Sequence, residues 1–108
     1  MAQSLANILL HVVFSTRGRI PILKPAVHPV LQSQLRAIGS DLGTPIVAVG
    51  GYHDHIHLLI AMNRVDTVCN IVREMKRKTS LHLGRSQEGL QDFAWQKGYA
   101  VFSVSESR

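Results

Sequence analysis

The sequence predicts an α+β domain with ferredoxin-like topology, in which one face of an antiparallel sheet carries both helices. Two observations lead to this prediction. Four short segments are rich in β-branched and apolar residues, and two longer segments repeat their apolar residues at helical spacing. Their order along the chain is β-α-β-β-α-β. A length of 108 residues suits one hydrophobic core, so we expect a single domain over 1–108.

The first half of the chain reads as strand, helix, strand. The first strand is predicted over 6–15, which is apolar and β-branched and ends at a basic turn over 16–19. A helix is predicted over 28–42, and Gly43 after it is a suitable C-cap. The second strand is predicted over 44–50.

The second half repeats strand and helix. The third strand is predicted over His55–Ala61, close enough along the chain to pair antiparallel with the second. Asp66 is a suitable N-cap for a helix that runs to about Leu83. Cys69 is the single cysteine, so no internal disulfide can form, and its place on the apolar stripe of this helix predicts an inert core residue.

The end of the chain contains a loop and the last strand. Residues 84–97 are predicted as a polar loop with Phe93 and Trp95 near its end, and the fourth strand is predicted over 98–104. Residues 103–106 have the form of a capping box, which predicts the start of a helix. A short polar tail is the alternative.

The charge balance favours a polyanionic partner. Twelve Lys and Arg against seven Asp and Glu give a net charge of +5 at pH 7, an excess that favours nucleic acid on a small domain. Aromatic residues make up only 6%, which is few for binding single strands mainly by base stacking. The apolar runs are too short to span a bilayer and no secretory signal is recognised, so we expect a cytoplasmic protein without a membrane partner.

The sharpest chemical signal is Asp54-His55-Ile56-His57 on the third strand. Because alternate strand residues point to the same face, the two histidines lie side by side with Cα atoms roughly 6.6 Å apart. Two imidazoles so placed can chelate one divalent cation and leave positions open for water or phosphate oxygens. The alternative is a solvated surface pair, because His-x-His often occurs by chance.

Two further histidines are weaker candidates. His53 shares the parity of the pair, but we expect it in the turn before the strand. His11 lies on the first strand, which this topology places beside the third. It is either an additional ligand or a core histidine that is hydrogen-bonded to a neighbour, and we expect the second.

Basic side chains form the other candidate site. The predicted second helix carries four of them, Arg73, Lys76, Arg77 and Lys78. They form either a solvated helix face or a phosphate-binding surface. Arg17 and Arg19, in the turn after the first strand, are weaker candidates for the same role. The sequence has no P-loop, no G-x-G-x-x-G and no nucleophile elbow that would indicate another chemistry.

Four separated motifs together resemble a known family. They are HVVFSTRGR from His11, VGGYHDHIHLLI from Val49, VREMK from Val72 and WQKGYAVFSVS from Trp95. In this order they resemble the single-tyrosine insertion-sequence transposases of the "two-hundred-like" type, which belong to the His-hydrophobic-His (HUH) endonuclease superfamily. The resemblance covers nearly the whole chain.

The resemblance implies a ferredoxin-like homodimer that acts in DNA transposition on single-stranded DNA at the ends of a mobile element. In such enzymes two strand histidines hold Mg²⁺ or Mn²⁺, which polarises the scissile phosphate, and His55 and His57 match this pair. A tyrosine on a C-terminal helix then attacks, forms a 5′-phosphotyrosine and frees a 3′-hydroxyl. The resemblance thus implies metal-dependent cleavage and rejoining.

The tyrosines depart from the family pattern. In the family the nucleophilic tyrosine, and a glutamine one helical turn later that completes the metal site, follow the motif that ends here at Ser105. The two tyrosines of this sequence, Tyr52 and Tyr99, do not match that position. We therefore expect a transposase domain that lacks its C-terminal helix. Two alternatives stay open: an inactive relic that binds single-stranded DNA or hairpins, and a structural dimer whose histidines bind no metal.

Overall fold

Four antiparallel strands form one sheet in the order β2-β3-β1-β4 in the computed structural model, which describes residues 8–62 and 67–104. The elements are β1 (Leu9–Ser15), a short 3₁₀ turn (Arg17–Arg19), α1 (Val27–Asp41), β2 (Ile46–Gly51), β3 (His55–Ala61), α2 (Val68–Ser86) and β4 (Ala100–Val104). This order and sheet topology confirm the predicted α+β, ferredoxin-like fold.

Both helices pack on one face of the sheet, because alternate residues of the two central strands are buried there. These sheet residues are Val12, Phe14, Ile56, Leu58 and Ile60. The helices bury Leu31, Leu35, Ile38, Ile71, Val72, Met75 and Leu83 in the same core. The other face of the sheet, which we call the open face, therefore carries the remaining residues of the alternation.

The register of β1 and β3 sets the neighbours on the open face. Val13 lies opposite His57, and Ser15 lies opposite His55. His11 lies two residues before Val13 and therefore has the same orientation. All of these residues are only partly buried. The open face thus collects three histidines from the two central strands.

The second helix begins at a different cap from the predicted one. Thr67 is the N-cap, and its Oγ1 accepts a hydrogen bond from the backbone N–H of Asn70 at 3.1 Å. The predicted cap, Asp66, lies outside the described residues. The helix continues to Ser86, beyond the expected end at Leu83. Among the described residues, no helix has both the length and the apolar character needed to cross a membrane.

The prediction for Cys69 is wrong, because its side chain is exposed. The buried stripe of α2 contains Ile71, Val72, Met75, Thr79 and Leu83. At 100° per residue, position 69 lies about a quarter turn from the centre of that stripe, in the first turn of the helix. An apolar residue at the margin of a stripe is easily counted as part of it.

The predicted polar loop contributes to the core. Trp95 and Phe93 are buried and meet edge to face, with ring centroids 4.8 Å apart. Trp95 also contacts the Phe14 ring edge to face at 4.7 Å. Its indole Nε1 donates to Thr79 Oγ1 at 3.0 Å, which satisfies the buried polar atoms of both residues. This loop therefore closes one end of the core.

The ends of the outer segments also differ from the prediction. β4 begins at Ala100 and not at residue 98, because Gly98 has φ 84°, a left-handed conformation that interrupts an extended strand. The first strand is observed from Leu9, and residues 1–7 lie outside the described part of the chain. The predicted cap over 103–106 begins inside β4, and residues 105–108 are likewise not described.

Candidate metal centre

The two histidines of the His-x-His motif lie side by side on β3, as the strand alternation predicts. The ring centroids of His55 and His57 are 4.7 Å apart, and the ring planes are inclined at 74°. Ile56 between them is fully buried on the helix side. A central strand thus holds both imidazoles, which we call the histidine pair, on the open face.

His55 has one ring nitrogen engaged by a carboxylate. Its Nδ1 lies 2.8 Å from Asp54 Oδ1, and the second oxygen of Asp54 accepts a hydrogen bond from Arg19 Nε at 3.1 Å. The hydrogen bond from His55, and then that from Arg19, hold the pKa of Asp54 below its usual value. Because an ionised carboxylate only accepts, His55 Nδ1 carries a proton, and in the neutral ring Nε2 is then the nitrogen with the free lone pair.

His57 has a second histidine as its partner. Its Nδ1 lies 2.8 Å from His11 Nε2, and the two rings are stacked with centroids 5.0 Å apart. Partial burial, followed by repulsion from His55 and His11, lowers the pKa of His57. His57 is therefore neutral at pH 7, which is the state in which an imidazole binds a metal.

The structure places the two weaker histidine candidates differently. His11 is not in the core, because β1 directs it to the half-buried open face, but it does hydrogen-bond to a neighbour as expected. His53 lies in the bend before β3, where it is exposed and its ring packs against Tyr52 at 4.4 Å. Neither of them contributes a third nitrogen beside those of the pair.

The donor set of the histidine pair suits part of a divalent-metal site. Within the described residues no group of three or more His, Cys, Asp or Glu side chains is arranged to hold a metal ion. Two neutral imidazoles can supply two ligands to a metal ion. Water, phosphate oxygens or further side chains would fill the other coordination positions. Mg²⁺ and Mn²⁺ both favour oxygen ligands, so water and phosphate oxygens suit the remaining positions.

Asp54 belongs to this site, although the sequence analysis predicted no function for it. It belongs to the motif Asp54-His55-Ile56-His57, and an acidic residue directly before a candidate ligand is the signal that points to it. The turn after β1 supplies its partner Arg19. Sequence separation hid this contact, because residues 19 and 54 meet only when β1 and β3 pair.

The basic turn lies next to the histidine pair, whereas the basic helix does not. Arg17 and Arg19 follow β1 directly and are exposed at the end of the sheet where Asp54 lies. The buried side of α2 packs against the helix-covered face of the sheet. The exposed residues Arg73 and Arg77 are therefore separated from the histidine pair by the thickness of the sheet.

Most of the basic helix residues already have partners. Arg77 pairs with Glu74 at 2.8 Å, and Lys78 lies 3.9 Å from the same carboxylate. The hydrogen bond from Arg77 lowers the pKa of Glu74. Arg73 donates to the side-chain oxygen of Asn70. These contacts favour the solvated-face interpretation for this part of the run.

Lys76 is partly buried and contacts the segment before β4. Its Nζ donates to the carbonyl oxygens of Gln96 and Gly98, at 2.6 and 2.7 Å, and lies 5.8 Å from the centre of the Phe14 ring. Partial burial lowers the pKa of its ammonium group. The structure thus gives Lys76 an anchoring contact between α2 and the segment before β4, and its phosphate contact stays a prediction.

The two tyrosines lie near opposite edges of the sheet, because Tyr52 follows the edge strand β2 and Tyr99 precedes the edge strand β4. Tyr52 is exposed, and its ring centre is 6.2 Å from that of His55. Tyr99 lies just before β4, outside the strand, and is exposed. Tyr52 is thus a tyrosine whose ring contacts the histidine pair.

Comparison with known proteins gives one family. The sequence model of the family described as "Transposase IS200 like" matches residues 4–108. No curated protein gives a significant match.

Two solved structures are similar in fold. One is a protein of Deinococcus radiodurans R1 with a provisional transposase assignment, at 26% identity and a TM-score of 0.76, covering 91% of this chain and 79% of that one. The other is a REP-associated tyrosine transposase bound to a REP hairpin, at 16% identity and a TM-score of 0.71. The match covers 94% of this chain but only 59% of that protein, and at this identity it shows the fold alone.

Proposed function

Because the chain belongs to the IS200-like transposase family, we propose that it takes part in metal-dependent cleavage and rejoining of single-stranded DNA at the ends of a mobile element. The observation that supports this most directly is the histidine pair on the open face of β3, with Nδ1 of His55 hydrogen-bonded to Asp54. The family match gives the pair its chemical context.

The proposed role of His55 and His57 is to hold Mn²⁺ or Mg²⁺. Bound there, the metal would supply charge stabilisation to the phosphoryl oxygens during displacement. The neighbouring residues orient both imidazoles: Asp54 accepts a hydrogen bond from His55 Nδ1, and the lowered pKa of His57 favours its neutral, metal-binding form. The sheet holds the two side chains in a fixed relation.

Single-stranded DNA is the proposed partner. We assign the first phosphate contacts to Arg17 and Arg19, because they lie at the same end of the sheet as Asp54. Arg73, Arg77 and Lys78 would contact the DNA only if it continues around the sheet to the helix side. The hairpin bound by the similar tyrosine transposase supports a DNA partner in general terms.

The covalent step is assigned to no residue of this sequence. Tyr52 and Tyr99 do not match the family position of the nucleophile. A hydroxyl attacks efficiently only when it is held about 3–3.5 Å from phosphorus and in line with the leaving oxygen. Water can attack in its place, so we expect slow metal-dependent hydrolysis of single-stranded DNA without a phosphotyrosine.

Cleavage of labelled single-stranded element ends tests the proposal. Wild-type protein with Mn²⁺ should nick the oligonucleotide, and His55→Ala should not. Denaturing electrophoresis should show no DNA-shifted protein band. A shifted band that disappears in Tyr52→Phe or Tyr99→Phe would contradict the assignment of the nucleophile, and nicking by His55→Ala at the wild-type rate would contradict the assignment of the metal pair.

A second candidate function is hairpin or single-strand binding without cleavage. It is favoured by the lack, among residues 8–62 and 67–104, of a third side chain that completes a metal site. In that case oligonucleotide binding is retained in His55→Ala and does not depend on Mn²⁺, and no nicking is seen in the wild type.

A further inference from the structure

The contacts of Asp54 point to a role for this residue and for Arg19. We propose that Asp54, held by Arg19, is a positioning residue that fixes the ring orientation and the tautomer of His55. The bare nitrogen of His55 is then Nε2, on the open face. This inference rests on the proposed function only where it takes His55 as a metal-holding residue, because the tautomer is a property of the metal-free protein.

The hydrogen bond between Asp54 and His55 has a fixed direction. The two atoms, Oδ1 and Nδ1, are 2.8 Å apart. A carboxylate has no proton to donate, so the proton must lie on Nδ1 of the imidazole. Without this acceptor, the proton of a neutral ring is free to move to Nε2, and the nitrogen that faces the open side is then no longer a ligand. Asp54 therefore favours the tautomer of His55 that can bind a metal through Nε2 over the tautomer that cannot.

Arg19 holds the carboxylate in the orientation that serves His55. It donates from Nε to Oδ2 at 3.1 Å, so each oxygen of Asp54 has its own partner. Arg19 has φ 57°, which is uncommon for a residue other than glycine, and it follows Gly18 at φ 69°. This left-handed pair shapes the turn from which the guanidinium reaches Asp54. The left-handed backbone of Gly18 and Arg19 thus determines where the Arg19 side chain lies.

The backbone around Asp54 is held independently of its carboxylate. The Asp54 carbonyl oxygen accepts from the Thr16 N–H at 2.9 Å, and the carbonyl oxygen of His53 accepts from the Leu23 N–H at 2.9 Å. These bonds tie residues 53–54 to the segment that follows β1. Replacing the carboxylate should therefore change the side-chain contacts and leave the fold in place.

The other histidine of the pair has no equivalent selector. His57 Nδ1 faces His11 Nε2, and either nitrogen of that contact can be the donor. His11 thus holds the His57 ring without choosing its tautomer. The carboxylate of Asp54 is the only partner of the pair, among the described residues, that fixes the proton on one nitrogen.

The test compares wild type with Asp54→Asn, Arg19→Ala and the matched control Glu74→Gln. The amide replaces one of the two acceptor oxygens with an NH₂ donor, so it cannot reproduce the separate contacts of Asp54 with His55 and Arg19. Glu74 is also paired with an arginine, Arg77, but on the helix side of the sheet. Long-range ¹H–¹⁵N spectra of the metal-free proteins report which ring nitrogen of His55 carries the proton.

We expect the Nδ1–H tautomer of His55 in wild type and in Glu74→Gln. We expect a larger share of Nε2–H in Asp54→Asn, and a smaller change in the same direction in Arg19→Ala. Mn²⁺ affinity should fall about tenfold in Asp54→Asn and stay unchanged in Glu74→Gln. An Nε2–H tautomer in wild type, or unchanged ¹⁵N signals in Asp54→Asn, would overturn the positioning role.

Failure of the proposed function gives a different result. If wild type and His55→Ala bind Mn²⁺ equally, the histidine pair is not the metal site, whatever the tautomer spectra show. If only His55→Ala loses Mn²⁺ and Asp54→Asn binds as tightly as wild type, the metal site stands and the positioning role is wrong.

Discussion

Each histidine of the pair has one ring nitrogen engaged by a neighbour. For His55 the neighbour is Asp54, and for His57 it is His11. These contacts differ in consequence, because a carboxylate dictates the position of the proton and a second imidazole does not. At the scale of single residues, therefore, the chemistry of the site depends on the neighbours as much as on the pair.

The lowered pKa of His57 gives a prediction for its titration. Burial, followed by the nearby His55 and His11, disfavours the protonated form in the folded chain. We expect the ring signal of His57 in an NMR titration to show a midpoint below the ordinary value of about 6.5. A midpoint at or above that value would contradict the environment described for His57.

The lowered pKa of His57 also determines how the free energy of unfolding changes with pH. The unfolded chain takes up the proton at higher pH than the folded chain does, so the unfolded state binds more protons in the window between the two pKa values. The contribution of His57 to the free energy of unfolding is therefore lost as pH falls from about 6.5 toward its folded pKa. His57→Gln should remove that part of the acid dependence in urea titrations.

At the scale of elements, the junction between α2 and β4 depends on Lys76. Its ammonium group binds the carbonyl oxygens of Gln96 and Gly98 just before the strand begins. Lys76→Met keeps much of the apolar stem but leaves two carbonyls without this donor. We expect a loss of about 1 kcal/mol in the free energy of unfolding, measured by urea denaturation.

Arg77→Met is the matched control for Lys76→Met. Arg77 lies on the same helix and pairs with Glu74 on an exposed surface, so its replacement should cost no more than about 0.5 kcal/mol. Equal losses in the two variants would show that Lys76 has no anchoring role.

The basic elements differ in their distance from the histidine pair, and this difference predicts their salt dependence. Each phosphate contact on single-stranded DNA adds about −0.7 to the log–log slope of affinity against salt. Arg17→Ala should flatten the slope by about this amount, because Arg17 lies in the turn at the Asp54 end of the sheet. Arg73→Ala, on the helix side, should leave the slope unchanged. A flatter slope in Arg73→Ala with an unchanged slope in Arg17→Ala would place the DNA on α2.

The strands, the helices and the shared face of His55 and His57 could be predicted from the sequence. The contacts between these elements could not. Strand alternation placed His55 and His57 on one face, and helical spacing identified most of the buried stripe of α2. The contacts of Asp54 with Arg19 and of His57 with His11 depend on the register of β1 and β3, which no local pattern specifies. Trp95 was assigned to a polar loop because its buried partner, Thr79, is distant along the chain.

At the scale of the whole molecule, the two edges of the sheet are unequal. β2 carries a register shift between Ile46 and Ala48, a feature that protects a sheet edge. β4 has no charged residue, and it exposes Val101 and Phe102. An unprotected apolar edge favours self-association, so we propose that the homodimer implied by the family resemblance forms through β4.

Light scattering during gel filtration tests this proposal. Wild type should elute as a dimer, and Val101→Lys should shift it toward the monomer. Val47→Lys is the matched control, because Val47 is an exposed valine on the opposite edge strand, and this variant should remain dimeric. Dissociation by Val47→Lys alone would place the interface on β2.

The most direct test of the histidine pair as a metal site is calorimetric titration of Mn²⁺ at pH 7.5 into wild type, His57→Ala and His53→Ala. His53 is a neighbouring histidine that packs on Tyr52 outside the pair, so its replacement controls for the loss of any imidazole. We predict that wild type and His53→Ala bind Mn²⁺ with similar affinity and that His57→Ala does not bind it. Equal binding by wild type and His57→Ala would contradict the assignment of the histidine pair as the metal centre.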